Sequence, residues 1–473
     1  MDYYRNACFD WLDNVEVKVK GMSVPMSQLI ASTKTKIVIG IGATGFSIAR
    51  HLTQLGQHFI MMDTREEPPL LEKFITEFPG ISLSLGELSV DSLSNADEII
   101  ISPGLSRKTE AVQVAIESNI PVINDIELFA RSANAPIVAI TGSNGKSTVT
   151  TLLGQMFIDA GYTVGIGGNL GTPALDLLDE EVAFYILELS SFQLESISSL
   201  CAEAATVLNI SPDHMDRYDS LLDYHQSKHR IFNGARQVII NRDDKLSIPL
   251  VGEKVKTWSY GLSTPDLNSF GVITSTDNKT WLAYEFDKLI SRGELGMSGS
   301  HNMSNALAAL ALGRAVNLPF RQMIETLRRF RGLPHRFQTV RVLNNITYIN
   351  DSKATNIAAT AAAINSLPTV ANIILILGGQ SKGQNFSVLF PILSGSVKHV
   401  LLIGEAASEI ENAIVGKIET SRVKSIESAI LLCRKISRSG DAVLFSPGCG
   451  SLDMFANFEE RGEKFISVVE GLQ

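Results

Sequence analysis

The chain has 473 residues, 45% of them hydrophobic and 19% charged, enough for a large core and, at roughly 150 residues per domain, about three domains. A formal net charge of −9 with no Lys/Arg block argues against nucleic acid or an anionic membrane as partner. No uncharged apolar run reaches the ~18 residues of a membrane helix, Cys8, Cys201, Cys433 and Cys449 lack any C-x-x-C spacing, and the N-terminus lacks an apolar signal core, so a cytoplasmic protein with reduced thiols is expected.

Residues 1–33 precede the first clear strand and carry no assignable role. Residues 36–39 read as a strand, followed by Gly40-x-Gly42-x-x-Gly45 and a helix whose buried face is Ile48, Ala49, Leu52 and Leu55. The next strand ends at Asp63, followed by Thr64 and Arg65. An acid there commonly holds ribose hydroxyls, so NAD or FAD is one reading, and another nucleotide or none is the other. Residues 98–101 form a further strand that runs into Ser102-Pro-Gly104. Alternating strands and helices make this an α/β domain with a parallel sheet, and ligands on such sheets gather at the carboxyl ends of strands.

The most informative stretch is residues 136–160. Residues 137–140 suit a buried strand, and from Lys146 Val149, Leu152, Leu153, Met156, Phe157 and Ala160 share one helical face until Gly161 stops the helix. Between them, Thr141-Gly142-Ser143-Asn144-Gly145-Lys146-Ser147-Thr148 has the composition of a phosphate-cradling loop, two residues shorter between its glycines than the usual pattern. Lys146 can neutralise a transferring phosphate, and Ser147 or Thr148 can hold Mg²⁺. A glycine loop brings Asn169, the next strand ends at Glu188, and the strand at 205–210 runs into Asp213-His214. An acid at a neighbouring strand end is the natural Mg²⁺ ligand of such a fold, so Glu188 and His214 are candidates. Residues 224–230, with Lys228, read as a helix, and Ser300, His301 and Asn302 are candidate N-caps of the Ala/Leu helix that follows.

Gly332 and Pro334 mark a boundary, after which strands again end in Gly or small polar residues: Asn350-Asp351-Ser-Lys353-Ala-Thr355, Gly378-Gly-Gln-Ser-Lys382, Gly404, and Ser446-Pro-Gly-Cys-Gly-Ser451-Leu452. This is a second Rossmann-like sheet. The expected architecture is therefore α/β in three domains: a Rossmann-like N-terminal domain at 34–121 after the 1–33 extension, a central P-loop ATPase domain with a parallel sheet at 122–332, and a Rossmann-like C-terminal domain at 333–473.

Taken together, TGSNGKST, ELSSFQLE, DHMDRY, GSHNMSNALAA, GLPHRF, NDSKATN, LGGQSKG and SPGCGSLDMFANFEERG resemble the Mur ligases of bacterial cell-wall synthesis, from about Lys36 to the C-terminus. The resemblance implies an ATP-dependent amide ligase working through an acyl phosphate, and within the family the Ser-Leu-Asp-Met-Phe stretch resembles the member that adds D-glutamate to UDP-N-acetylmuramoyl-L-alanine. It implies that Gly42, Thr44, Asp63, Thr64, Arg65, Ser102 and Gly104 hold UDP rather than a dinucleotide, with Asn169 on the muramoyl-alanine part. Gly142, Ser143, Asn144, Gly145, Lys146, Ser147, Thr148, Asn302, Arg336 and Asp351 would bind ATP. Lys353, Thr355, Lys382, Ser451, Leu452 and Phe458 would surround D-glutamate. Two Mg²⁺ ions are implied, one on Ser147 or Thr148 and one on Glu188 and His214, and Lys228 aligns with a lysine that the family carbamylates. A monomer is expected. The alternatives are another amino-acid specificity within the family or a folylpolyglutamate-synthase-like ligase, against which the N-terminal glycine motif counts, and a nucleotide-binding regulator or NAD enzyme using Gly40 to Gly45.

Overall fold

The computed structural model describes residues 16–19, 22–25, 35–297, 299–367, 372–416 and 418–473. The 1–33 extension therefore lies largely outside the described residues; within it Glu16–Val19 and Met22–Pro25 pair antiparallel. The chain divides into two compact units, one of residues 1–132 and 172–178, the other of 133–171 and 179–473.

The first unit is built on a five-stranded sheet in the order Ser82–Leu85, Phe59–Asp63, Lys36–Ile39, Glu98–Ile101, Val122–Ile123, parallel throughout. Ile37, Val38, Ile39, Ile99 and Ile100 are all buried, the continuous apolar pattern of strands covered on both faces. The order reverses beside Lys36–Ile39, so the turns after that strand and after Glu98–Ile101 open side by side. Two sequence expectations shift here. Leu55, assigned to the buried face of the first helix, is 54% exposed, because the helix spans Ala43–Gln54 and Leu55 is its C-cap. The first unit also extends beyond residue 121, since Ile99 and Ile100 pair with Val122 and Ile123 and helix Asp125–Ser132 follows in the same unit.

The second unit carries two sheets. The nine-stranded one has Ile137–Thr141 at its heart, flanked by Phe184–Glu188 on one side and Ala204–Val207 on the other, both parallel to it. Its far end is antiparallel, where Ser269–Thr274, Thr280–Tyr284 and Asp287–Ser291 pair. Helix Lys146–Asp159 buries Val149, Leu152, Leu153, Met156 and Phe157 completely. At ~1.5–3 kcal/mol per large apolar side chain, that burial fixes the loop at its N-terminus. Helix Ser300–Ala315 packs into the same core. Its N-cap is Gly299, with no side-chain cap bond, so Ser300, His301 and Asn302 lie inside the first turn instead of capping it.

The six-stranded sheet runs Gln338–Leu343, Ile346–Asn350, Ala442–Phe445, Ile373–Gly378, Val397–Ile403, Glu419–Arg422, the first pair antiparallel and the rest parallel. Asp351, Ser446 and Gly379 follow the ends of three adjacent strands of this sheet.

Candidate active site

Strand order alone brings the key side chains of the second unit together. Ile137–Thr141 leads into the glycine loop, Phe184–Glu188 ends on Glu188, and Ala204–Val207 leads to Asn209, Asp213 and His214. Parallel neighbours lie ≈ 4.8 Å apart, so Lys146, Glu188 and His214 rise from three adjacent carboxyl ends.

The loop is held open by its surroundings. Gly142 and Gly145 have φ of 154° and 85°, and a Cβ on Gly145 would lie 2.5 Å from Asn305 Oδ1. Asn209 pins the loop from the neighbouring strand: its Oδ1 accepts from Asn144 N at 2.8 Å and its Nδ2 donates to Asn144 O at 3.0 Å. Ser143 Oγ donates to Ser211 O at 2.9 Å and pairs with Tyr224 OH at 3.0 Å. Lys146 Nζ folds back onto Gly142 O and Ser143 O at 2.9 and 3.0 Å, and burial lowers its pKa. From beyond the Gly-Pro boundary, Arg336 donates to Ser147 Oγ at 3.0 Å. Asn356 joins in, its Nδ2 donating to Asp213 Oδ2 at 3.0 Å and to Asn144 Oδ1 at 3.3 Å.

Two cavities open onto this constellation. One, of about 290 Å³, is lined by Asn144, Gly145, Thr148, Asn302, Arg336 and Asp351 together with an alanine-rich wall. The other, of about 370 Å³, collects Ser143, Lys146, Ser147, Asn169, Glu188, His214, Lys353, Thr355, Lys382, Ser451, Leu452 and Phe458. Asn144, Arg336 and Lys353 line both. The larger cavity gathers charges of both signs, Lys146, Arg336, Lys353 and Lys382 against Glu188, Asp213 and Glu459. Lys353 Nζ sits 3.6 Å from the Phe458 ring centroid, and burial, aided by Arg336, lowers it to about 8. Burial raises Asp351 to about 7 although Ser446 Oγ and Phe337 N both bond it.

Lys228 and Gly142 do not line either cavity. Lys228 lies beneath the loop, 1% exposed, with Nζ donating to Gly142 O at 3.0 Å and a pKa lowered well below the lysine norm by burial and Lys146.

The remaining sequence candidates belong to the first unit. Gly42 caps helix Ala43–Gln54, within which Thr44 lies in the first turn. Ser102 Oγ donates to Gly40 O at 3.3 Å, with Gly104 in the turn beyond, so the two glycine-bearing turns abut. Asp63 is 2% exposed, and its oxygens accept from Ile41 N, Arg65 N and both Arg65 Nε and Nη2 at 2.7–2.9 Å. The acid therefore orients the turn and Arg65, leaving Thr64 exposed beside it.

Residues 140–313 match the Mur ligase middle domain, 34–124 the Mur ligase MurD-like N-terminal domain and 335–449 the Mur ligase glutamate ligase domain. The chain belongs to the Mur ligase family. It is 51% identical over 446 residues to the UDP-N-acetylmuramoylalanine--D-glutamate ligase of Pseudomonas fluorescens, covering 94% of this chain and 99% of that protein. It is 45% identical to the enzyme of that name from Acinetobacter baylyi over 449 residues, covering 94% of this chain and all of that protein. Among solved structures, a pseudomurein peptide ligase type C from Methanothermus fervidus shares the fold at a TM-score of 0.60 and 20% identity, covering 93% and 100% of the two chains. MurF from Acinetobacter baumannii does so at 0.57 and 15%, covering 94% and 92%.

Mur ligases use ATP, and the donors at the strand ends fit a divalent ion beside its phosphates. Glu188 is 2% exposed, its Oε1 accepts from Asn169 Nδ2 at 2.7 Å, and its Oε2 is buried without a partner. A buried, unpaired carboxylate oxygen calls for a cation. Burial lowers the His214 pKa, favouring the neutral imidazole that can ligate.

Sequence reading missed Asn209, Asp213, Asn356 and His301. Asn209 was hidden because residues 205–210 read as one strand, whereas the strand ends at Val207. Asp213 stands beside His214 and was overshadowed by it. Asn356 carries an N-cap signal that is fulfilled, accepting from Ala359 N at 2.9 Å, and its second role has no signature in sequence.

Proposed function

We infer that this chain is an ATP-dependent ligase that joins D-glutamate to UDP-N-acetylmuramoyl-L-alanine in peptidoglycan precursor synthesis. The observation that carries the reading is about 50% identity over 94% of the chain to relatives of that activity. The convergence of Lys146, Glu188 and His214 on one cavity supports it.

A carboxylate is a poor acylating agent. Transfer of the γ-phosphoryl group from ATP to the substrate carboxylate oxygen forms an acyl phosphate and releases ADP. The amine of D-glutamate, having lost a proton, attacks the acyl carbon, and phosphate leaves from the tetrahedral intermediate. Catalysis rests on positioning and charge neutralisation. The smaller cavity takes the nucleotide, with Asp351 on the ribose, Asn302 on the nucleoside and the loop amides of 142–148 around the phosphates. Lys146 leaves its own loop carbonyls to neutralise the transferring phosphoryl group. Ser147 or Thr148 would hold one Mg²⁺ and Glu188 with His214 a second, and the ions when bound would supply Lewis-acid charge neutralisation. Lys353, Thr355, Lys382, Ser451, Leu452 and Phe458 embrace D-glutamate, with Lys382 facing the side-chain carboxylate. Burial disfavours the charged form of Lys228, and the neutral amine is the form that adds CO₂ to give a carbamate, which would place an anion beneath the loop. The first unit takes the UDP moiety through Arg65, Ser102 and the glycine turns, and Asn169 contacts the muramoyl-alanine part. The protein acts in the cytoplasm as a monomer.

The test is oxygen transfer. Substrate labelled with ¹⁸O in the alanyl carboxylate should yield phosphate carrying one ¹⁸O, and unlabelled phosphate would refute the acyl phosphate.

A further inference from the structure

The larger cavity is walled from two sheets: Lys146 and Ser147 follow a strand of the nine-stranded sheet, while Thr355, Lys382 and Ser451 stand in loops at strand ends of the six-stranded one. An amine and an acyl group react only when held about 3–3.5 Å apart, so the loops of the two sheets must be set against each other. Asn356 spans the join. It is 2% exposed and caps helix Ile357–Ser366, its Oδ1 accepting from Ala359 N at 2.9 Å. A backbone N–H can only donate, so the amide oxygen faces the helix and the nitrogen faces across the join. That nitrogen donates to Asp213 Oδ2 at 3.0 Å, and the side-chain amides of Asn356 and Asn144 pair reciprocally at 3.3 Å. Asn144 is itself fixed, because Asn209 grips its backbone N and O.

The next peptide carries the tie into the amino-acid loops. Ile357 N donates to Gln384 Oε1 at 3.0 Å, and Gln384 Nε2 donates to Ser381 O and to Gly448 O, both at 3.0 Å. All three partners are backbone groups, so this amide too has one orientation. Ser381 directly precedes Lys382, and Gly448 opens the loop that reaches Ser451. Gly448 N in turn donates to Ala354 O at 2.9 Å, beside Thr355. A continuous chain of bonds therefore runs from the phosphate loop through Asn356 and Gln384 to the loops that carry Thr355, Lys382 and Ser451.

We propose that Asn356 and Gln384 are positioning residues that act as one unit, registering the amino-acid loops against the phosphate loop so that the incoming amine meets the acyl phosphate. This rests on the reading of the site as an amide ligase. Both residues act through the loops they hold, so their loss should impair capture of the acyl phosphate by D-glutamate and spare its formation.

The test compares two amines on the full-length enzyme. Hydroxylamine is small and needs no amino-acid site, so ADP release with it reports acyl phosphate formation, whereas D-glutamate reports capture as well. Asn356→Ser keeps a capping oxygen and loses the donor across the join; Gln384→Met keeps the volume and loses all three bonds. Each should lower kcat/KM for D-glutamate about tenfold, the scale of a lost neutral hydrogen bond, with hydroxylamine-dependent ADP release within about twofold of wild type. Because the two act as one unit, the double variant should fall little further. Losses that multiply in the double variant overturn the proposal, as does a wild-type kcat/KM for D-glutamate in folded Asn356→Ser. Should Gln384→Met not fold, Asn356→Ser alone decides. Parallel loss with both amines makes the residues merely structural and overturns it too. Wild type that uses D-glutamate but not hydroxylamine also overturns it, since acyl phosphate formation would then depend on the filled amino-acid site. Wild type that releases ADP with neither amine would instead refute the ligase reading itself.

Discussion

Arg461 is buried, 3% exposed, and is not among the residues that line the larger cavity, yet it ties two of its walls together. Its guanidinium donates to Ser352 Oγ at 3.0 Å and Ser352 O at 2.7 Å, and to Cys449 O and Gly450 O at 3.2 and 2.8 Å. The first two acceptors, on Ser352, adjoin Lys353, and the last two lead directly into Ser451, both candidates for holding D-glutamate. Arg461→Ala strips the donor from four acceptors, and each one left unsatisfied in the interior costs ~1–3 kcal/mol. The loops will relax, and a displacement of about 1 Å in a positioned site is worth about 100-fold. We expect KM for D-glutamate to rise about 100-fold in Arg461→Ala. Arg461→Lys keeps the charge but lacks the planar fork, and should raise it about tenfold. KM for ATP should change far less in both, because Arg461 bonds no residue that lines the smaller cavity, and of the residues shared between the two cavities only Lys353 adjoins its partner Ser352. The assay is phosphate release at saturating ATP and UDP-substrate with D-glutamate varied, alongside circular dichroism to establish folding. A folded variant with wild-type KM for D-glutamate would refute the reasoning.

Lys146→Ala should lower kcat by at least ~10²–10³-fold with unchanged circular dichroism, the scale for removing a group that stabilises transition-state charge; residual turnover near wild type would remove Lys146 from the phosphoryl step. Gly145→Ala places a methyl group 2.5 Å from Asn305 Oδ1 at a backbone φ of 85°, strain of about 1–3 kcal/mol, and should raise KM for ATP, which nucleotide titration checks. Asn169→Ala removes the donor that orients Glu188 and should weaken Mg²⁺ activation ~10–100-fold in a magnesium titration. Lys353, depressed to about 8, is charged below that pH and neutral above it. Since its charge attracts a carboxylate, kcat/KM for D-glutamate should fall as pH rises through about 8, and Lys353→Arg should flatten that limb. For stability the sign runs the other way: the buried charge is a cost present below pH 8 and relieved as pH rises toward the unfolded value.

Much of the fold was legible because its signals are local. Runs such as residues 37–39 and 99–101, buried on both faces, read as parallel strands, and the period change at Lys146 located the phosphate loop. Which strand ends become neighbours was less legible: Thr141, Glu188 and Val207 are far apart in the chain, and only sheet order joins them. Asp63 shows a second role that the sequence did not signal: beyond its place at a strand end, its carboxylate is bonded by Ile41 N and the Arg65 fork and so orders the turn. The Asn209 clasp and the Asn356 bridge were invisible for a similar reason, since an asparagine's second partner, distant in sequence, leaves no periodic trace.

The amino-acid specificity is decided by phosphate release from Mg-ATP with UDP-N-acetylmuramoyl-L-alanine, offering D-glutamate, L-glutamate, L-alanine, L-lysine or meso-diaminopimelate in turn. Release with D-glutamate alone is expected. Release with another of these amino acids in place of D-glutamate, or silence with all five, would contradict it.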